Sequence, residues 1–321
     1  MRVFLYLGAV LALNTPDFQE SILKCIQSNP KTKEFAALLA RPQFSDLAEL
    51  LSGQDSSRKM TVFAPSNEAM AQFPSIGLMT SVPIKDVLRY HIMPGLVTEK
   101  MIDSLHFGSS AYSYKGRVQG LKLARTAEGK MQISSGPLPP AYVLAADLKA
   151  SNGAVHVIDR LLVPPYSVEE TLKMANLTNF LALAVHNDLI VSMDKTSGGT
   201  VFAPTNDAIE NLMNANPDMI NDDEVIYNFV RWHFAPKQVR FSSRISASSP
   251  ATLETLAGRV ELNKIGDNLE VNHVPIRRAD LITRYGVLYV LDGTIAQPAE
   301  HSHGGMHHNI GNTREAMPIS N

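Results

Sequence analysis

The sequence predicts an α+β protein made of two tandem modules, and three observations carry that prediction. The segment Thr61-Val-Phe-Ala-Pro-Ser-Asn-Glu-Ala-Met70 returns as Thr200-Val-Phe-Ala-Pro-Thr-Asn-Asp-Ala-Ile209, an offset of 139 residues. That offset is too long for a solenoid period and suits a second whole domain. Other landmarks follow in unchanged order at offsets between 133 and 142: Arg89-Tyr90-His91 with Arg231-Trp232-His233, Gly116-Arg117-Val118 with Gly258-Arg259-Val260, Ala146-Asp147-Leu148 with Ala279-Asp280-Leu281, and the run from Gly153 to Asp159 with that from Gly286 to Asp292. Within a copy, helical periodicity precedes a strand, helices return, and a cluster of strands closes the unit, an order typical of α+β rather than of a parallel α/β sheet.

The elements of the first copy can be taken in order. Residues 18–51 show helical spacing through Phe18, Ile22, Leu23 and Ile26, continued by Phe35, Leu38, Leu39, Phe44, Leu47, Leu50 and Leu51 across Pro30 and Pro42. Gly53 to Lys59 reads as a polar loop, and Met60–Ala64 as a strand stopped by Pro65. Ser66 or Asn67 then caps a helix whose first turn holds Glu68, as Thr205, Asn206 and Asp207 repeat. Val82–Met93 predicts another helix, closed by Pro94-Gly95. From Tyr112 the period shortens, with strands expected at Val118–Leu123, Met131–Ile133, Tyr142–Leu144 and Val155–Val163, and a turn at Ser151-Asn152-Gly153. Pro164-Pro165-Tyr166 marks the boundary, and Ser167 with Glu170 forms a capping box that opens the second module. A short proline-bearing linker limits the swing between modules. The predicted division is 18–165 and 166–298, with a His/Gly-rich tail expected to be disordered at 299–321.

Composition narrows the function class. A net charge of −2 argues against nucleic acid as a partner. Residues 1–166 hold 17 basic and 13 acidic side chains, whereas residues 167–298 hold 11 and 16, so the modules carry opposite signs. Cys25 is the single cysteine, so no intramolecular disulfide or cysteine-built zinc site is possible, and an inert buried thiol is the reading for it. One positive charge before the apolar run Val3–Ala12 reads as a short secretory signal at 1–12, too short to cross a bilayer. No later segment reads as a membrane span, and a soluble secreted protein is expected.

The repeated Thr-Val-Phe-Ala-Pro-(Ser/Thr)-Asn-(Glu/Asp)-Ala box, the Tyr90-His91 pair, and the stretch from Asn152-Gly153 through His156 and Asp159 to Pro164 together resemble the fasciclin domain of extracellular adhesion proteins. The resemblance spans about residues 18–298 as two copies. It implies a β-sheet wedge with helices packed round it, an extracellular location, and a role in adhesion or matrix organisation with cell-surface receptors and matrix components as partners. For some relatives it also implies integrin recognition through the Tyr-His region and an Asn-x-Asp-Ile segment. Tyr90, His91, Asp147 and Leu148 match those positions, as do His233, Asp280 and Leu281. Ala145 and Arg278 stand where the segment has Asn, and Trp232 replaces Tyr.

Partner-contact candidates are therefore Tyr90, His91, Asp147, Leu148, Trp232, His233, Asp280 and Leu281. For His91 and His233 the competing reading is a histidine that ties a helix end to a neighbouring loop. For Asp147 and Asp280 a receptor-facing carboxylate competes with a turn aspartate bonded to its own backbone. Asp159 and Asp292, at strand ends, read as structural. Ser66, His91, His156 and Asp159 supply the residue types of a hydrolytic triad, but Thr205, His233 and Tyr289 do not repeat the set and no Gly-x-Ser-x-Gly elbow occurs, so neither an enzyme nor a cofactor is expected. Asn176-Leu177-Thr178 is a glycosylation sequon at Asn176, placed by periodicity in a helix. His301, His303, His307 and His308 are candidate metal ligands in the tail, with Met306 beside them. The alternative to adhesion is an extracellular protein that binds a small ligand or metal through a module cleft or this tail.

Overall fold

The computed structural model describes residues 20–53, 59–72, 82–102, 106–196 and 198–295. The expected signal segment, Phe18, most of the 53–59 loop and the histidine tail lie outside the described residues.

Module one opens with α1 (Ile22–Ser28), α2 (Lys33–Leu39) and α3 (Ser45–Ser52), with 3-10 turns starting at Pro30 and Pro42 between them. Proline has no N–H to lose at the first position of a turn and presets φ there, so each proline separates one helix from the next. β1 (Met60–Pro65) follows, then α4 (Asn67–Ala71), whose first turn is capped by the Ser66 hydroxyl accepting from the Ala69 N–H at 3.2 Å. The helix expected over Val82–Met93 is shorter: α5 (Ile84–Tyr90) ends at His91, and Ile92–Pro94 forms β2, paired antiparallel with β1. The apolar residues there fit either period, and the open edge of β1 supplied the partner that periodicity does not show.

β3 (His106–Tyr114), β4 (Arg117–Arg125), β5 (Met131–Ser134), β6 (Ala141–Ala150) and β7 (Gly153–Ile158) complete a seven-stranded sheet in the order β2-β1-β7-β6-β5-β4-β3. β1 and β7 run parallel, and the other pairs described are antiparallel. The strand expected to reach Val163 stops at Ile158. Leu161, Leu162 and Val163 stay buried but leave the ladder, because the Leu162 N–H is taken by His91 instead.

Module two repeats the plan with α6 (Val168–Met174), α7 (Thr178–His186), α8 (Leu189–Lys195), β8 (Gly199–Pro204), α9 (Asn206–Ala215), α10 (Asp223–Trp232), β9 (Phe234–Pro236), β10 (Ala251–Glu254), β11 (Arg259–Ile265), β12 (Asn268–Val271), β13 (Val274–Thr283) and β14 (Gly286–Leu291). Read from β9, its sheet order is β9-β8-β14-β13-β12-β11-β10, the order of the first module. Ser167 and Glu170 form the expected capping box at the start of α6.

β1 and β8 are buried along their whole length and divide their side chains between two cores. Val62 and Ala64 face the helices while Phe63 faces the strand-lined core; Val201, Ala203 and Phe202 divide in the same way. This is the period-two alternation of a central strand with both faces covered. Among the described residues, every hydrophobic cluster stays on one side of Pro164 and Pro165. The parallel pairing depends on a close approach. A Cβ on Gly153 would sit 1.8 Å from the Met60 carbonyl oxygen, and one on Gly286 would sit 2.0 Å from that of Gly199. Only glycine fits at either place.

Candidate functional site

The repeated box is a structural device. Asn67 accepts from the Glu34 N–H at 3.1 Å and donates to the Pro30 carbonyl at 2.9 Å, pinning α2 to the end of β1. Asn206 does the same in module two, with the Asn179 N–H at 3.0 Å and the Asn176 carbonyl at 3.1 Å. The threonine that opens each box clamps the loop after the short edge strand. Thr61 donates to Gly95 and accepts from the Val97 N–H; Thr200 donates to Gln238 and accepts from the Arg240 N–H. Asn176 lies not in a helix but in the turn between α6 and α7, with φ 57°, and it is exposed.

The two histidines are fully buried. His91 donates from Nδ1 to the Val87 carbonyl at 2.8 Å and accepts at Nε2 from the Leu162 N–H at 3.0 Å. His233 bonds the Phe229 carbonyl at 2.7 Å and the Ile295 N–H at 3.1 Å. Both pairings require a neutral ring protonated at Nδ1. Burial pulls each imidazole down to about 4, against the opposing effect of the helix carbonyl. Tyr90 is buried and its hydroxyl donates to the Gly120 carbonyl at 2.6 Å. Trp232 packs against Gly258, where a Cβ would meet the indole at 2.3 Å. These four side chains hold helix ends to the strands and turn no face outward.

Asp147 and Asp280 sit inside β6 and β13, at bulges, with φ of 56° and 62°. Each carboxylate reaches the first N–H of a 3-10 turn in the loop after the edge strand rather than its own backbone: Asp147 accepts from Glu99 at 3.0 Å and Asp280 from Ser242 at 2.8 Å. Beside Asp147, His156 donates to the Val97 carbonyl at 2.9 Å and is held below its ordinary value chiefly by burial. Its counterpart Tyr289 donates to the Arg240 carbonyl at 2.7 Å, and burial, then Asp280, pushes its phenol well above the usual range. Phe63 stacks on His156 and Phe202 on Tyr289.

The two copies then diverge. The Asp280 side chain is 1% exposed, accepts from the Ser242 hydroxyl, and lies 3.4 Å from the Lys122 ammonium of module one. The Asp147 side chain remains 34% exposed. Leu148 is half-buried and Leu281 buried, each packed on its module's helix-side core. Module two presses its loop onto module one: Phe241 stacks on Phe107 with centroids 4.0 Å apart, Arg284 lies over the Tyr114 ring at 4.6 Å, and Arg117 donates to the Tyr285 carbonyl at 3.3 Å. The equivalent loop of module one instead leaves Met101 exposed, while Leu96 is as exposed as its counterpart Val239. Aromatic stacking across the modules had no signal in the sequence beyond the presence of the rings.

Ser66 and His91 are spent on the cap and loop bonds given above. Asp159 accepts from the Tyr142 N–H at 2.7 Å, and Asp292 pairs with Arg277 at 2.5 Å, both structural. Cys25 is half-buried in α1, and burial pushes its thiol up.

Comparison with known proteins agrees with this anatomy. The fasciclin domain family matches twice, over residues 30–164 and 175–297. The chain belongs to the fasciclin domain family. It is 26% identical to a fasciclin-like arabinogalactan protein of Cercospora beticola, with 86% of this chain and 79% of that protein covered. It is 27% identical to periostin of Homo sapiens, covering 78% of this chain but 30% of periostin. It is 31% identical to Protein sll1483 of a Synechocystis strain, over 49% of this chain and 81% of that one. A solved domain pair from the insect cell adhesion molecule Fasciclin I aligns with a TM-score of 0.41 at 15% identity, covering 83% of this chain and 96% of that one. Among the described residues no helix is long and apolar enough to cross a membrane.

Proposed function

We propose that this protein is secreted and works by contact, holding cell surfaces to matrix or matrix components to one another, with no chemistry of its own. Family membership of both halves supports the class, since adhesion and matrix organisation are what the fasciclin resemblance implies. One asymmetry supports a particular surface. The Asp280 loop is covered by module one at Phe241 and Asp280, whereas the matching loop of module one, with Met101 55% exposed, faces solvent beside Asp147. Apolar side chains rimmed by a carboxylate are the composition of a contact surface. The partner reading thus contracts from eight residues to Asp147 and its loop. The other candidates are buried, apart from half-buried Leu148, which packs inward. Integrin is one receptor class such a carboxylate suits.

Cell attachment to surfaces coated with the purified protein tests this. Attachment is expected for the wild type and is expected to fall several-fold in a variant carrying both D147A and M101Q. No attachment by the wild type sinks the adhesion reading. Full attachment by the folded variant leaves adhesion standing and removes this loop from it.

A further inference from the structure

Where the modules meet, a cleft of about 380 Å³ opens between β3 and β4 of module one and the β13–β14 turn and Val239–Phe241 loop of module two. We infer that this cleft binds a small amphipathic anion, a medium-chain carboxylate being the simplest member of the class. The volume lies within the range of ligand sites, about 300–1,000 Å³, and is too small for a folded partner. Arg117 and Arg284 are the charged residues of its lining, and no lining residue is acidic. Each guanidinium is held in place: Arg117 lies 5.8 Å from the Tyr285 ring centre and bonds that residue's carbonyl, while Arg284 lies over Tyr114 and 3.5 Å from Glu170. Glu170 stands outside the lining but pairs with Arg284, and Asp194 also acts on that arginine, so part of the Arg284 charge is offset from behind while the two guanidinium groups remain the charged groups of the lining.

The remaining wall is mixed, with Ser109, Gln119 and Thr283 beside a larger apolar share. Phe107, Phe241 and Ile282 form part of it, and Val118 and Val239 keep 57% and 41% of their surface exposed although they belong to opposing modules. Covering aliphatic surface wetted inside a crevice favours an apolar tail, and guanidinium groups at the same crevice, one of them partly offset by Glu170, favour an anionic head. Because both modules supply lining, an occupant would tie them together and raise the stability of the pair. Asp147, Leu96 and Met101 are not in this lining, so the site stands independently of the adhesion surface.

Isothermal titration of the full chain with decanoate below its micellar concentration, and with methyl decanoate as the uncharged control, tests the inference. Decanoate is expected to bind saturably with one equivalent per chain, and the ester at least tenfold more weakly. The double variant R117Q/R284Q should lose at least tenfold affinity for decanoate. Should that variant prove unfolded, V239W, a change at an exposed position that fills the cleft, should lose decanoate binding while keeping the wild-type circular dichroism. Equal binding of acid and ester, undiminished binding by V239W, or uptake that never saturates would each overturn the site.

Discussion

Replacing His233 by Phe tests whether the second residue of each Tyr/Trp-His pair belongs to the fold. The ring is fully buried and is bonded to two backbone groups, the Phe229 carbonyl near the end of α10 and the Ile295 N–H sixty-two residues on. A phenyl ring keeps the volume but leaves both groups unpaired, at about 1–3 kcal/mol each. The expected loss at neutral pH is therefore about 2–6 kcal/mol. The second half of the test is the pH dependence. The folded imidazole titrates near 4, against an ordinary value of 6.5. A depressed histidine binds its proton more readily in the unfolded chain, so its contribution is full above the ordinary value, fades as pH falls, and is gone below the folded value. Integrating between the two titrations, about 2 kcal/mol disappears on going from pH 7.5 to 5. The Phe variant lacks that contribution, so its deficit should shrink by about 2 kcal/mol over this range. Trp232 is the sole tryptophan and lies in module two, so urea titrations followed by its fluorescence report the affected module. A deficit under about 1 kcal/mol at neutral pH, or one equal at both pH values, refutes the reasoning.

Other expectations follow from the same geometry. D280A removes the Lys122 ion pair and the bonds from Ser242, and should cost about 2–4 kcal/mol, whereas D147A, at a side chain 34% exposed, should cost about 1 kcal/mol; thermal unfolding of the two variants side by side shows whether the copies differ as described. G153A and G286A push a methyl into a neighbouring strand's backbone and should abolish soluble, folded protein, which expression and circular dichroism report; a folded G153A would mean that β1 and β7 do not pair as described. N67A should lower stability by about 1–2 kcal/mol in chemical denaturation by unpinning α2, and a neutral effect would leave the box without its assigned role. Fragments 18–165 and 166–298 made separately should each unfold cooperatively, since no hydrophobic cluster among the described residues joins them; a fragment that fails to fold would make the intermodule contacts essential.

Much of the fold was legible because local physics wrote it. Prolines at 30 and 42, serine and threonine before the Asn of each box, the Ser167-Glu170 capping box and the alternating strands each act within a few residues, so their signals stand in the sequence next to their effects. Where local signals were ambiguous, the reading slipped. Ile92 and Met93 suit helix or strand, and Leu161 to Val163 look like ladder residues although His91 takes the backbone donor there. Asn152 reads as a turn residue, yet it is fully buried, accepts from the Ile22 N–H at 2.8 Å and donates to the Leu51 carbonyl at 3.1 Å, joining α1 and α3 to the last hairpin. In module two Tyr285 stands at its position, and the first N–H of α6 goes to Asp194 of α8 at 2.6 Å.

The duplication, the α+β order and the kinship were determined by the sequence alone, because they rest on composition, spacing and capping that each copy carries within itself. Only the tertiary structure decided what the repeated polar residues do. The two aspartates are equivalent in sequence and in bulge, but one meets Lys122 across the intermodule contact and the other meets water. That difference, like the cleft between Arg117 and Arg284, arises from partners more than 150 residues apart, whose approach depends on how two finished modules dock and on no pattern within either.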